Sequence, residues 1–260
     1  MNDISNTPPV SIILTVRERS QRFEQSLQSV TGQSYRNLQI IVAAVTADEM
    51  ILQTIEKSKR QDLDIVYLPL PEESISQARN IALKQAYGTF VLFMTEKQEI
   101  QNLWIERGVR RLILSGADGV QCATMYLKNN VMVNISTPDD SLFGFYQRLL
   151  VKNTIDLNSM IVKRAICAEF PERIGEDAEW EFWLYTLRKK KVDVQSEIIG
   201  SIVHVEEERF DSLHNEDHLE IMKKYFKELH PSIRKVRQYL KIRSLEKELS
   251  EHVRRPSGGI

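Results

Sequence analysis

The sequence has no apolar run long enough to cross a membrane. Its longest runs, such as Ile12–Leu14 and Phe90–Met94, fall far short of the roughly 20 residues that a membrane span needs. The opening segment, MNDISNTPP, lacks the apolar stretch of a secretion signal. Both absences predict a cytoplasmic protein.

Cysteine is scarce, and several catalytic motifs are missing. Two thiols, Cys122 and Cys167, are more typical of small buried hydrophobic residues than of a disulfide or a metal site. The sequence contains no Walker phosphate loop, no zinc-type spacing of Cys and His, and no G-x-S-x-G nucleophile motif. No cofactor is therefore expected.

The chain has little net charge, −1 at pH 7 over 260 residues, but the charge is unevenly distributed. From Asp217 to the end, eleven Lys and Arg stand against six Asp and Glu, whereas residues 1–216 carry 24 basic and 30 acidic side chains. The body is acidic and the tail is basic. A nucleic-acid partner is not expected.

Apolar runs alternate with amphipathic segments in the first 95 residues. The runs VSIILTV, LQIIVAA, DLDIVYLPL and TFVLFM predict four strands. Helices are predicted after an N-cap at Ser20, over residues 47–60, and over SISQARNIALKQAYG, closing at Gly88. This order predicts an α/β fold with a doubly wound, mostly parallel sheet, whose ligands bind beyond the carboxyl ends of the strands.

The second half is less regular. A helix is predicted over 102–115, a hairpin over DGVQCATMYL and NNVMVNIS, a strand over SMIVKR, a helix up to about Lys190, and the last strands over VDVQSEIIGSIVHVEE. We divide the chain into a disordered N-terminus (1–9), a globular domain (10–216) and a basic amphipathic helical tail (217–260).

Two apolar stripes mark the tail, one on each side of Pro231. Their predicted anchors are Tyr225, Phe226, Leu229, Val236, Leu240 and Leu245. Such stripes are expected to pack on the globular domain, on a second copy of the chain, or on a membrane surface as a peripheral contact. Acidic residues within the tail dilute its positive charge, which favours the first two alternatives.

Four stretches, taken together, resemble the inverting glycosyltransferases of family two, which have the GT-A fold. They are VSIILTVRERSQRFEQSLQSVTGQSYRNLQIIV, SISQARNIALKQAYGTFVLF, LNSMIVKRAI and IGEDAEWEFWLYTLRKKK, within residues 10–205. The resemblance implies transfer of a sugar, with inversion, from a nucleotide-sugar donor to a glycan, lipid or other acceptor, as in polysaccharide biosynthesis.

The chain departs from this family where the family binds its donor. Ala43 and Ala44 stand where the family has an aspartate pair that contacts the nucleoside, and Thr95, Glu96 and Lys97 stand where it has the Asp-x-Asp motif that binds Mg²⁺ or Mn²⁺. A methyl group accepts no hydrogen bond, and an ammonium group does not bind a hard cation. We therefore expect a degenerate donor site without a metal ion.

Glu176 and Asp177 lie where the family has its general base, the carboxylate that takes the proton of the attacking hydroxyl. An acidic pair just before a helix also caps free N–H groups, and this structural alternative is equally open.

Donor-binding candidates are Arg17, Arg79, Asn80, Lys97 and His204. The resemblance places the Ala-Arg-Asn segment near the donor diphosphate, but an arginine that pairs with acidic neighbours on a helix is commonplace. His204 lies near a phosphate- or metal-facing histidine of some relatives, although a lone histidine between valines is more often a core residue.

Two further pairs of residues have simpler structural interpretations. Trp180 and Trp183 are expected to face the core, and Asp139-Asp140 to lie in a solvated turn. The sequence thus leaves two functions open. One is a glycosyltransferase that works without a metal, and the other is a catalytically inactive GT-A domain that acts as a binding or scaffolding module.

Overall fold

The computed structural model describes residues 7–18, 20–46, 48–59, 62–138, 144–172, 176–205 and 216–228. The statements below concern these residues. Asp139-Asp140 and the tail beyond residue 228 lie outside them, as does the side chain of Phe226.

In this part of the chain, nine strands form one sheet. The strands are β1 (Val10–Val16), β2 (Leu38–Ala44), β3 (Asp64–Pro69), β4 (Phe90–Thr95), β5 (Gln98–Ile100), β6 (Gly119–Lys128), β7 (Val131–Ser136), β8 (Met160–Lys163) and β9 (Val192–His204). Their order is β3-β2-β1-β4-β8-β6-β9-β5, with β7 paired to β6.

Parallel strands make up most of the sheet, as the sequence predicted. β2 pairs in parallel with β1 and β3, β1 with β4, and β6 with β9, whereas β5, β7 and β8 are antiparallel to their neighbours. The parallel strands need crossover connections, which the helices supply. The predicted α/β class is confirmed.

Seven α-helices are described between and after the strands. They are α1 (Gln21–Thr31), α2 (Glu49–Ser58), α3 (Ile75–Gln85), α4 (Trp104–Ser115), α5 (Phe145–Leu149), α6 (Glu176–Thr186) and α7 (Glu216–Tyr225). The Ser20 side chain accepts a hydrogen bond from the N–H of Phe23, so the predicted N-cap is confirmed.

The end of α3 differs from the prediction. The helix ends at Gln85 rather than at Gly88, and Gly88 has a packing role instead. A Cβ at Gly88 would lie 2.4 Å from the backbone nitrogen of Ser11. Gly88 is therefore required for the close approach of β4 to β1 and does not cap the helix.

The last strands also differ from the prediction. The segment over 192–204 is one strand, β9, whose pairing with β6 shifts register near Cys122 and Ala123. The sequence analysis did not predict β5, a three-residue strand that pairs antiparallel with the end of β9. Local sequence does not predict β5 because its partners lie about a hundred residues later in the chain.

The core occupies both faces of the sheet. One cluster lies between the sheet and helices α3 and α6, and the other between the sheet and helices α1, α2 and α4. Trp180 and Trp183 are both buried in the first cluster, which confirms their predicted position. Cys122 and Cys167 are free thiols, and burial raises the pKa of both.

The first helix of the tail, α7, packs on the globular domain. Ile221 and Tyr225 belong to the same core cluster as Trp180, and Lys224 Nζ lies 2.6 Å from Glu181 Oε1 on α6. At the end of this segment, Arg188 forms an ion pair with Glu228. Intramolecular packing is thus observed for Tyr225, and the homodimer and membrane alternatives stay predictions for the rest of the tail. No described helix is long and apolar enough to cross a membrane.

Candidate donor and acceptor site

The carboxyl ends of β1, β2 and β4 lie side by side at one edge of the sheet. The register pairs Thr15 with Ala43 on one side and with Thr95 on the other. Ala43 and Ala44 are completely buried, and their methyl side chains offer no hydrogen bond at this edge.

Side-chain hydrogen bonds fix the turn after β4 onto α1. Ser26 Oγ donates to the backbone oxygens of Thr95 and Gln98, and Gln98 Oε1 accepts from the N–H of Thr95 at 2.9 Å. The segment from Thr95 to Gln98 is therefore an ordered turn.

Glu96 is the buried carboxylate of this turn, with only 3% of its surface exposed. Burial raises the pKa of Glu96 above its ordinary value. Backbone N–H groups of Glu96 and Arg17, together with the positive charges of Arg17 and Lys97, oppose this rise without cancelling it. The structure thus brings two predicted donor-binding cations, Arg17 and Lys97, to one acidic side chain that sequence reasoning did not select.

The raised pKa predicts how Glu96 contributes to stability. Folding takes up a proton in the pH window above the unfolded-state pKa of about 4.5. The contribution of Glu96 to the free energy of unfolding therefore falls as pH rises through this window to the folded pKa, and the ionised group destabilises the fold above it. We expect Glu96→Gln to be more stable than the unaltered chain at pH 7 and to lack this part of the pH dependence.

Urea unfolding between pH 4.5 and pH 7 checks this expectation. The matched control is Glu72→Gln, which changes an exposed carboxylate before α3. Lower stability of Glu96→Gln at pH 7 would show that the ionised carboxylate stabilises the turn.

His204 lies beside this turn, at the end of β9. Its backbone N–H donates to the carbonyl of Lys97 at 3.0 Å, and its Nε2 lies 2.5 Å from Glu99 Oε1. The imidazole is 8% exposed, and its Nδ1 has no hydrogen-bond partner among the described groups. Glu99 was missed because its pairing with His204 depends on the register of β5 with β9.

Thr15 is a second residue that sequence reasoning missed. Its Oγ1 is buried at the carboxyl end of β1 and has no hydrogen-bond partner within the described chain. A buried hydroxyl normally finds a partner, so the unpaired Thr15 hydroxyl is an exception at the carboxyl ends of the strands, but in this conformation it presents almost no surface to a ligand. The feature of the sequence that could have indicated Thr15 is its position near the end of the first predicted strand.

Arg79 and Asn80, on α3, contact Glu179 on α6 and Phe170 in the segment before it. Arg79 Nη2 donates to Glu179 Oε1 at 2.9 Å, and its guanidinium lies 5.0 Å from the ring centre of Phe170. Asn80 exchanges two hydrogen bonds with the backbone of Phe170. The Arg79 side chain is 3% exposed, so in this conformation it presents almost no surface to a nucleotide.

Asp177 lies in the first turn of α6 and is 9% exposed. Glu176 is the first residue of α6, and its side chain lies outside the described groups. Phe182 stacks on Phe170 at 3.8 Å, and Trp180 Nε1 donates to the backbone oxygen of Leu149. These contacts, together with the Arg79–Glu179 ion pair, hold the helix that carries Asp177 against α3.

The site therefore has two parts. Arg17 and Lys97 act electrostatically on Glu96, and His204 contacts the backbone of Lys97 and the side chain of Glu99, whereas Arg79 and Asn80 contact Glu179 and Phe170. Over the described residues, no group of three or more His, Cys, Asp or Glu side chains is arranged to hold a metal ion.

Comparison with known proteins shows that this chain is similar to glycosyltransferases. The family described as "Glycosyl transferase family 2" matches residues 11–159. A Haemophilus influenzae protein named "Uncharacterized glycosyltransferase" is 26% identical over 200 residues, covering 73% of this chain and 76% of the relative. A Rickettsia bellii protein of the same name is 32% identical over 85 residues, 33% of this chain and 12% of the relative.

Solved structures share the fold. Staphylococcus aureus TarS 1-349 in complex with UDP-GlcNAc is 21% identical, with a TM-score of 0.69 over 85% of this chain and 66% of the TarS chain. The mannosyltransferase PcManGT from Pyrobaculum calidifontis, in complex with GDP-Man and Mn²⁺, is 16% identical, with a TM-score of 0.59 over 86% of this chain and 64% of the other. This chain thus spans slightly less than two thirds of each solved chain. The fold is that of GT-A glycosyltransferases, and the chain belongs to glycosyl transferase family 2.

Proposed function

We propose that the protein transfers a sugar from a nucleotide-sugar donor to an acceptor hydroxyl, with inversion at the anomeric carbon and Asp177 as the general base. The observation that supports this most directly is the placement of Asp177 in the first turn of α6. That helix is held by Arg79, Phe170 and Leu149 rather than left on a loose loop. A base held on a rigid element keeps the geometry that proton transfer needs.

The proposed reaction is one displacement. The acceptor oxygen forms a bond to the anomeric carbon from the face opposite the leaving group, and the bond from that carbon to the diphosphate oxygen breaks. The acceptor proton passes to the Asp177 carboxylate, and the nucleoside diphosphate leaves with the bonding electrons. The acceptor is a glycan, a lipid or another hydroxyl-bearing molecule.

Positive charge for the leaving diphosphate is assigned to Lys97 and Arg17, with His204 beside them. A divalent metal, if one were bound here, would supply positive charge to the leaving diphosphate, but the side chains present do not fit that role. Thr95 offers a neutral hydroxyl, Lys97 an ammonium group, and Glu96 is almost completely buried. A cation fixed in a cleft that excludes water stabilises developing negative charge without a metal.

Arg79 and Asn80 are assigned to positioning rather than to the donor. Their contacts with Glu179 and Phe170 hold α3 against α6. Glu176 remains an alternative to Asp177 as the base. A cytoplasmic location follows from the sequence prediction alone.

Titration calorimetry with a panel of UDP- and GDP-sugars in EDTA tests the proposal, since the TarS and PcManGT structures are complexes with UDP-GlcNAc and GDP-Man. We expect at least one donor to bind without a divalent ion. Lys97→Met should weaken that binding about tenfold or more, because it removes a charge-assisted contact to phosphate. Lys84→Met, at an exposed lysine of α3, is the matched control. Absence of binding for every donor would contradict the proposal.

The second candidate function is a catalytically inactive GT-A domain that acts as a binding or scaffolding module. The complete burial of Ala43 and Ala44 favours it, because these positions leave the nucleoside without a side-chain hydrogen bond. A ligand that binds only the folded state raises the melting temperature. A melting temperature that no nucleotide or nucleotide sugar changes would support this second function.

A further inference from the structure

A mixed aliphatic and basic surface lies at the end of α4, far from the candidate site. Ile113 and Leu114 are 59% and 68% exposed in the last turn of the helix. Four exposed basic residues lie in two segments: Arg110 and Arg111 precede Ile113 and Leu114 on α4, and Lys189 and Lys190 directly precede Lys191, which contacts the end of α4. We call these six residues the α4 patch.

Hydrogen bonds join the two segments of the α4 patch into one surface. Lys191 Nζ donates to the backbone oxygen of Ser115 at 2.7 Å, and the carbonyl of Lys191 accepts from the N–H of Asp118 at 2.7 Å. Arg111 Nε lies 3.0 Å from both carboxylate oxygens of Asp193. Lys191 is therefore held next to the end of α4, and Lys189 and Lys190 directly precede it in the chain.

The charge of this surface is positive. Its acidic neighbours include Glu106, one turn before Arg110, together with Asp118, which contacts Lys163 at 3.0 Å, and Asp193, which contacts Arg111. The remaining charge of Arg110, Lys189 and Lys190 faces solvent together with the two aliphatic side chains.

We propose that the α4 patch binds an anionic lipid surface, with Ile113 and Leu114 entering the headgroup region and the basic side chains contacting lipid phosphates. Aliphatic side chains exposed on a helix gain free energy when they leave water, and lysines and arginines near an anionic bilayer add electrostatic attraction. A soluble polyanion would satisfy the basic groups but would leave Ile113 and Leu114 in water. The combination therefore favours a lipid surface over a nucleic acid or an acidic protein.

The α4 patch is separate from the proposed chemistry. Lys191 immediately precedes β9, and His204 ends it, so the patch and the candidate site lie at opposite ends of this strand. Changes in the patch should leave donor binding at Lys97 unaltered. The proposal does not depend on the proposed glycosyl transfer.

Vesicle sedimentation with the full chain tests the proposal. We expect the protein to pellet with vesicles of equal parts phosphatidylcholine and phosphatidylglycerol, and much less with phosphatidylcholine alone. Lys189→Gln with Lys190→Gln should weaken partition at least about tenfold, and Ile113→Ser with Leu114→Ser should weaken it by a similar factor. Leu52→Ser with Lys57→Gln makes matched changes on α2 and should leave partition unchanged.

All these positions are exposed, so the variants should keep the melting temperature of the unaltered chain, which is measured alongside. Equal pelleting by both patch variants and the unaltered chain would overturn the proposal and place any lipid contact elsewhere, such as in the tail. Loss of binding in the lysine variant but not in the Ile113 and Leu114 variant would also overturn it. Such a result would mean that binding depends on charge alone, without insertion of aliphatic side chains into the lipid. The absence of any pelleting would do the same.

Discussion

Asp177→Asn is expected to reduce sugar transfer by about 10²- to 10⁴-fold while leaving donor affinity and the melting temperature nearly unchanged. The amide keeps the shape of the side chain at the start of α6 but does not accept a proton, and general-base catalysis contributes about this much to a rate. The loss should appear in kcat rather than in KM, because the proton moves only in the transition state.

The measurement is single-turnover transfer with whichever donor the titrations identify, in parallel with calorimetric binding of that donor. Glu172→Gln is the matched control, since it changes an exposed carboxylate that contacts Ser74 and belongs to neither part of the site. Unaltered turnover in Asp177→Asn would exclude Asp177 as the base, and the same experiment on Glu176→Gln would follow. A loss of donor affinity equal to the loss of rate would instead assign Asp177 to binding.

Lys224→Met is expected to lower the free energy of unfolding by about 2–3 kcal/mol at pH 7, because it removes a charge partner of a buried carboxylate. Glu181 is 2% exposed at the side chain, and Lys224 Nζ contacts its Oε1 at 2.6 Å. The lysine is 43% exposed, which places the expected loss at the low end for buried pairs. Its ammonium also lies 4.8 Å from the ring centre of Tyr185.

A double-mutant cycle separates the pair from general packing. Glu181→Gln combined with Lys224→Met should recover most of the lost stability, since no unpaired charge is then buried. Lys227→Met, at an exposed lysine three residues later, should change stability by less than about 0.5 kcal/mol. Equal losses for Lys224→Met and Lys227→Met would mean that α7 contributes little to the fold. Donor binding measured on the same variants tells whether α7 also affects the site.

The sheet and its helices follow from patterns that lie close together in the chain. Runs such as Val10–Val16 and Phe90–Thr95 are mostly apolar because both faces of these strands are covered, and the helix after the Ser20 cap begins where the sequence indicates. Trp180 and Trp183 were predicted correctly because their spacing puts both on the buried side of one helix. Short-range periodicity suffices for these elements, since each one must bury a continuous apolar surface.

The polar contacts could not be predicted in this way. Glu99 and His204 meet because β5 pairs with β9, a register that no local pattern in Gln98–Ile100 indicates. The Ala-Arg-Asn segment suggested a donor contact, whereas Arg79 in the folded chain contacts Glu179, a hundred residues later. The tail showed an apolar stripe, but the partner of Lys224 was not apparent until α7 lay on α6.

Composition, strand and helix periodicity, and the four family-like stretches were sufficient to predict the fold class and the family. Which cations surround Glu96, which residues support the helix of Asp177, and where aliphatic and basic side chains meet on the surface depended on the folded chain. The physical reason is distance along the sequence. Burial of apolar residues imposes a period on neighbouring positions, whereas each ion pair or hydrogen bond joins two individual side chains whose meeting depends on sheet register and helix packing.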